Sequence, residues 1–317
     1  MYHIGIDLGG TNIAVGVTDD DLKIIGRGRR KTPQGAESDI ILKEMAAASA
    51  AAVQDAGLSM SDISDAGIAA PGTVNSETGV IKYSNNIKFE NYPAVEKLKE
   101  LLKVDKCRIA NDANAAAYGE LLAGAGKGCK NFVAVTLGTG VGSGIIIDGK
   151  ILTGSNFAGA EVGHTYLIAG GEKCSCGNRG CFEAYASATA LKRQTARAMK
   201  EHPESFMWRI AKSPDQVDGR TAFDAMRKND RAGKEVVDNY IRYVAAGIVN
   251  IINIFQPEFV CIGGGICNEK ETLLAPIREF IDKHDYNRDR SVRTKLVTAK
   301  LGNDAGIIGA AGLYRLD

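Results

Sequence analysis

The sequence predicts an α/β fold in two lobes. A strand–turn–strand plan occurs twice, strands alternate with helices, and a strand–aspartate–helix unit also occurs twice. In the first copy of the plan, apolar runs at Ile4, Ile6, Leu8 and at Ile13, Val15, Val17 flank the turn Gly9-Gly10. A polar turn at 19–21 leads to a third run at 22–25, which completes a three-strand meander. The second copy follows 132–137, a glycine turn over 138–144, 145–147, Asp148-Gly149 and 150–152. The segments IDLGGTNIAVGV and VTLGTGVGSGII can be laid over one another.

The strand–aspartate–helix unit is 107–110, Asp112 and a helix over 113–122, and again 296–299, Asp304 and a helix over 305–316. An aspartate suits a helix start, where free backbone N–H groups and the helix dipole favour negative charge. Further helices are expected over 39–56, 92–102, 186–200, 222–228 and 234–254. The stretch 201–219, with two of the seven prolines and many charges, reads as a surface excursion.

With 317 residues, 44% hydrophobic and 24% charged, the chain has a globular composition and room for one large domain or two ordinary ones. Its 39 basic and 38 acidic residues leave a net charge of +1, which argues against nucleic acid and anionic membranes as partners. No apolar run approaches the roughly 20 residues of a membrane span, and the first residues read as a strand rather than a secretory leader. Seven cysteines, an odd count, fit a reducing and therefore cytoplasmic setting. Cys107, Cys129, Cys261 and Cys267 lie in apolar stretches, as buried small hydrophobes do.

Three segments carry chemistry. His164, Cys174, Cys176 and Cys181 supply one nitrogen and three sulfurs, a donor set that suits structural Zn²⁺. Gly177 and Gly180 fall where a chain folding round an ion needs unusual backbone angles. The alternatives are a disulfide, disfavoured without a secretory signal, or unrelated core thiols. Asp7-Leu8-Gly9-Gly10-Thr11 places an acid at a strand end, then bare backbone N–H groups that can approach phosphate oxygens. The carboxylate can hold Mg²⁺ through water. Gly138-Thr139-Gly140 repeats that geometry in the second copy. Either turn alone also reads as an ordinary hairpin; two matched copies favour a phosphate cradle. Gly263-Gly264-Gly265 can seat an adenine ring or form a tight strand-to-helix turn. A P-loop motif is absent.

Together these residues resemble the ROK family (repressors, open reading frames and sugar kinases), and within it the bacterial glucokinases. The resemblance rests on DLGGT at 7–11, APG at 70–72, NDANAAAYGE at 111–120, LGTGVGSG at 137–144 and EVGH at 161–164. It continues through CSCGNRGCFE at 174–183, IGGG at 262–265 and the terminal LGNDAGIIGAAGL. It implies a two-lobed actin/hexokinase-like (ribonuclease H-like) ATPase fold with ATP between the lobes. A small lobe of 1–117, joined by a returning C-terminal helix at about 303–317, would pair with a large lobe of 118–302 that carries the zinc knuckle.

The implied reaction is ATP-dependent phosphorylation of glucose at the 6-hydroxyl, with Asp112 as general base rather than a plain helix cap. Another hexose, such as N-acetylmannosamine or fructose, would use the same machinery, and a sugar-sensing repressor is the distant alternative. Gly72, Asn86, Asn111, Glu161, His164 and Glu183 are implied as sugar partners, His164 ligating zinc through one ring nitrogen and facing the sugar with the other. Asp7, Gly9, Gly10, Thr11 and Asn12, together with Gly138, Thr139, Gly140 and Gly263 to Gly265, are implied at the nucleotide. Asn12 stands where many members carry lysine. Neither cradle contains Lys or Arg, which leaves Mg²⁺ and backbone dipoles to neutralise phosphate charge. A homodimer is the usual assembly.

Overall fold

The computed structural model describes residues 1–84, 87–287, 289 and 291–316, so the candidate Asn86 lies outside the described residues. The chain forms two compact units. The first comprises Met1–Ala134, Gly144–Ala160 and the segment from Ala299 onward; the second comprises Val135–Ser143 and Glu161–Thr298.

In the first unit, β1 (Tyr2–Leu8), β2 (Asn12–Thr18) and β3 (Ile24–Lys31) form the expected meander, followed by α1 (Ser38–Asp55). Next come β4 (Ile63–Ala70), β5 (Thr73–Asn75), β6 (Val80–Tyr83), β7 (Glu90–Tyr92), α2 (Ala94–Leu102), β8 (Cys107–Asn111) and α3 (Asp112–Ala123). The main sheet has the order β3-β2-β1-β4-β8, and β5, β6 and β7 make a small separate sheet. β1 is antiparallel to β2 and parallel to β4, so its C-terminal end opens into the glycine turn beside the end of β8, which runs parallel to β4. Ile4, Ile6, Leu8, Ile13 and Val15 are all buried, the period-2 pattern of a sheet packed on its core.

The chain continues with β9 (Phe132–Leu137), β10 (Val141–Ile147), β11 (Lys150–Ile151), α4 (Glu183–Ala186), α5 (Ala188–Glu201), α6 (Met207–Ile210), α7 (Thr221–Met226) and α8 (Arg231–Phe255). It ends with β12 (Phe259–Gly263), α9 (Glu271–His284), β13 (Lys295–Thr298), α10 (Ala305–Ala311) and a 3₁₀ turn over Gly312–Leu316. The second five-stranded sheet has the order β11-β10-β9-β12-β13. This matches the first sheet strand for strand, as the sequence echo predicted.

Several expectations need correction. The units do not divide at 117/118, because α3 is bound along its length to α10 in the first unit. A Cβ on Gly119 would lie 2.2 Å from the Ala305 carbonyl oxygen, and one on Gly309 would lie 1.7 Å from that of Ala115. Only glycine lets these two helix backbones touch. The glycine turn over 138–144 is shorter than expected, since β10 already starts at Val141. Gly144 is a strand residue whose absent side chain makes room for Ala117 and the Ala113 carbonyl. Residues 201–219 are not a surface excursion: Ser205, Met207, Ala211 and Val217 are buried, and Trp208 Nε1 donates to the Met199 carbonyl. Helix α9 was not anticipated; its interior Pro276 hides a helical pattern. Among the described residues no helix is long and apolar enough to cross a membrane.

Candidate active site

The first glycine turn is shaped by the chain just beyond β3. Thr32 Oγ1 donates to the Gly9 carbonyl (2.7 Å), Gln34 Nε2 to that of Gly10 (2.6 Å) and the Thr32 amide to that of Thr11 (3.0 Å). The Gly9 amide closes the turn on Asn12 O at 2.9 Å. With the carbonyls held, the amide N–H groups of Gly10 and Thr11 donate to nothing among the described residues. Two bare N–H groups in one turn form an anion nest.

Asp7 stands at the end of β1 against α10, where a Cβ on Gly306 would come within 2.7 Å of its carboxylate. Burial and the neighbouring charge of Asp112 push the Asp7 carboxyl up to about 6. Asp112 is the first residue of α3. The capping of that helix falls to Asn111, whose Oδ1 accepts from the Ala113 and Asn114 amides at 2.9 and 3.2 Å. Asp112 is therefore not needed as the cap, although its Oδ1 also receives the Ala113 N–H at 2.8 Å. Burial raises its carboxyl above the ordinary carboxylate range, against those helix-start hydrogen bonds. Asn111 Nδ2 donates to the Gly72 carbonyl at 3.1 Å, and Gly72 has φ +93° and no room for a Cβ, which would strike Tyr83 O, so only glycine fits. So Asn111 and Gly72, both named from the sequence, brace the start of α3. The second aspartate also stands at its helix start: Asp304 occupies the N-cap position of α10, but its side chain makes no capping bond and pairs bidentately with Arg27 at 2.7 and 2.8 Å.

In the second unit the other glycine turn repeats the device. The Ala188 amide donates to the Gly138 carbonyl (2.8 Å), Thr189 Oγ1 to that of Thr139 (2.7 Å), and the Gly138 amide to that of Gly140 (3.0 Å). The Thr139 and Gly140 amides are left without an acceptor among the described residues. The Val141 amide donates to Glu183 Oε2 at 3.0 Å, while Glu183 Oε1 accepts from Ser175 Oγ at 2.6 Å. Burial opposes ionisation of Glu183, but these donors outweigh it and hold the carboxyl below its ordinary value. Gly264 has φ +99°, and a Cβ on it would meet the Leu137 carbonyl oxygen at 2.3 Å. Close packing of β12 on β9 thus explains Gly264, whereas Gly265 faces open space.

The knuckle has the geometry of a tetrahedral site. The four ligand atoms of His164, Cys174, Cys176 and Cys181 all lie within 4.8 Å of one another. His164 Nδ1 is 3.7 Å from Cys174 Sγ, and Cys176 Sγ is 3.7 Å from Cys181 Sγ. Zn–S bonds of about 2.3 Å require sulfur–sulfur edges of about 3.8 Å, so the donor set fits Zn²⁺. Gly177 and Gly180 both take φ +91°, as the tight fold demands. The arrangement assigns Nδ1 of His164 to the metal and leaves Nε2 for another partner. Burial and the adjoining thiols push Cys181 up to about 12, a cost that a divalent cation removes by taking the thiolate. Glu161 precedes the 3₁₀ turn Val162–His164, and its carbonyl accepts the His164 amide at 3.1 Å.

Comparison with known proteins settles the family. The ROK family model matches residues 3–316. The chain belongs to the ROK family. A glucokinase of Thermotoga maritima is 37% identical to it over 98% of this chain and 96% of its own length. The solved ROK family glucokinase of Streptomyces griseus, in complex with glucose and AMPPNP, aligns over all of both chains with a TM-score of 0.79 and 32% identity. The ROK hexokinase of Thermus thermophilus aligns over 98% of this chain and 97% of its own with a TM-score of 0.80 and 31% identity. This ROK chain has the mixed α/β architecture of the actin/hexokinase-like class.

Sequence reasoning found the turns, Asp112 and the knuckle but missed the side chains that shape them. Thr32, Gln34 and Thr189 act through single hydrogen bonds to backbone, and Ser175 ties Glu183 to the knuckle. No spacing rule marks them. Glu120, quoted only as the end of a motif, is 2% exposed and its carboxylate accepts the amides of Ala125, Lys300 and Leu301. It fastens the segment leading into α10 to α3.

Proposed function

We propose that this protein transfers the γ-phosphoryl group of ATP to the 6-hydroxyl of glucose, with Asp112 as general base. The observation that carries the reading is the state of Asp112, a half-buried carboxylate at a helix start whose capping duty falls to Asn111. Its raised pKa makes it a better proton acceptor for an alcohol than a free aspartate, while the helix dipole steadies the charge it carries before reaction. The full-length likeness to glucokinases, one of them bound to glucose and AMPPNP, supports the substrate pair.

On this reading Asn111 and Gly72 in the first unit, and Glu161, His164 Nε2 and Glu183 in the second, are each candidates for hexose hydroxyls. Phosphate oxygens suit the bare N–H groups of each glycine turn, Gly10 and Thr11 in the first and Thr139 and Gly140 in the second, with Asn12 a candidate beside the first turn and Gly263 and Gly265 candidates for the base. Asp7 would hold Mg²⁺ through water, and the ion would supply positive charge to the phosphates. His164, Cys174, Cys176 and Cys181 would hold Zn²⁺ as scaffolding, which would fix His164 and, through Ser175, Glu183.

A coupled assay with ATP and a panel of hexoses tests the proposal. Glucose should turn over and Asp112→Asn should not. Turnover of N-acetylmannosamine or fructose in place of glucose would keep the mechanism and change the substrate. Sugar binding without turnover of any hexose would sink the kinase reading in favour of a sugar sensor.

A further inference from the structure

The first glycine turn contains no cation, yet ATP brings about four negative charges. The structure holds a cation beside it. β3 carries Arg27, Arg29, Arg30 and Lys31, which alternate between the two faces of the sheet. Register places Asp7 opposite Ala14 and Ala14 opposite Arg29, and Asn12 opposite Lys31. Arg29 and Lys31 therefore share the sheet face of Asp7, whereas Arg30 belongs to the α1 face, 4.0 Å from Glu44. Between Asp7 and Arg29 the middle strand offers only the methyl of Ala14, so a trough stays open. It forms part of a cavity of about 510 Å³ lined by Asp7, Gly9, Asn12, Arg29 and Asp304 among others.

The cations on this face are not equivalent. Arg27 is neutralised by its two bonds to Asp304. Arg29 and Lys31 have no carboxylate within ion-pair distance among the described residues. An arginine left unpaired at the rim of an anion nest has the planar donor fork that matches phosphate oxygens. Two strand spacings of about 4.8 Å separate Asp7 from Arg29 along the register row. A long side chain leaning across the small residue Ala14 closes that interval.

We propose that Arg29 is a phosphate-binding residue of this enzyme, contacting the phosphate chain held at the Gly9–Asn12 turn, with Lys31 adding to the field. The proposal rests on the reading of that turn as a nucleotide site. Calorimetric titration with Mg·ATP in the absence of sugar, at two salt concentrations, tests it on the wild type, Arg29→Gln, Arg29→Lys and Arg30→Gln. We expect Arg29→Gln to weaken ATP binding about tenfold and flatten its salt dependence, Arg29→Lys to fall between, and Arg30→Gln to match the wild type. The KM for ATP should rise accordingly while the KM for glucose stays within twofold.

Arg29→Gln binding ATP within twofold of wild type, with unchanged salt dependence, overturns the assignment and leaves the kinase reading intact. Equal losses in Arg29→Gln and Arg30→Gln overturn it too, as a nonspecific field effect. A wild type that binds no ATP overturns both readings. Should Arg29→Gln fail to fold, Arg29→Lys decides: it must still weaken ATP binding relative to wild type.

Discussion

At residues 9–12 the turn carbonyls are held by Thr32 and Gln34; at residues 138–140 they are held by Ala188 and Thr189. Among the described residues both turns end with two bare N–H groups, although the groups doing the holding come from unrelated places: a loop after β3 in one case, the start of α5 in the other. The surroundings then diverge. The first turn has a carboxylate pair, Asp7 and Asp112, and a basic edge strand. The second has Glu183, bound to Val141 on one side and to Ser175 of the knuckle on the other. A duplicated backbone has kept its anion nest twice and distributed the chemistry unequally. On the proposed reading, proton transfer and Mg²⁺ binding would belong to the first copy, and positioning supported by zinc to the second.

The sharpest break in this comparison is Asp112→Asn. It should lower kcat by about 10²–10⁴ with the KM for glucose little changed, read in the coupled assay. A loss confined to KM would move Asp112 from chemistry to binding. Next is the second copy's support. Cys181→Ser should abolish the single zinc counted by metal analysis, lower the unfolding temperature and raise the KM for glucose about 10–100-fold. Unchanged sugar affinity in a zinc-free, folded protein would separate the knuckle from recognition.

The pH response should distinguish the copies as well. Asp7 titrates near 6 in the folded protein and near 3.8 when unfolded. Between those values the folded state binds the extra proton, so this residue's contribution makes stability fall as pH rises from about 4 to 6. Asp7→Asn should remove that slope and stabilise the protein at pH 7–8 by about 1–3 kcal/mol, at the expense of Mg·ATP turnover. Denaturant titrations at pH 4, 6 and 8 check this; Asp112, also raised, keeps a smaller slope of the same sign, and a slope unchanged by the substitution would reassign it. The smallest effects are expected from Thr32→Val and Thr189→Val. Each removes one hydrogen bond of about 1 kcal/mol, which should raise the KM for ATP about fivefold. Similar shifts would confirm that the two turns are worth the same to the nucleotide; unequal shifts would rank them.

Much of this was legible in the chain. Local patterns identified the duplicated meander, the strand–aspartate–helix unit at 107–122 and the donor set of the knuckle, because each depends on residues close in sequence. Helix α8 was read within three residues at its start, since its apolar stripe is long. β4 went unread although it lies between β1 and β8, because a fully buried strand lacks alternation. Asp112 was read as an acid at the helix start, and it is the first-turn carboxylate of α3; which neighbour caps the helix was not legible, because Asn111 and Asp112 have the same preference and only the extended backbone at Asn111 separates them.

Which groups are available follows from the order of residues alone: two glycine turns, two acids at strand and helix ends, four soft ligands and an aliphatic period for each sheet. These are properties of neighbouring residues, and covalent connection delivers them. Tertiary structure alone decided their state. Thr32 holds the Gly9 carbonyl, burial and the charge of Asp112 raise Asp7, and Asp304 neutralises Arg27 while Arg29 has no ion-pair partner among the described residues. Hydrogen-bond geometry and electrostatics act through a few ångströms of space, and the separation between Arg27 and Asp304 along the chain is 277 residues.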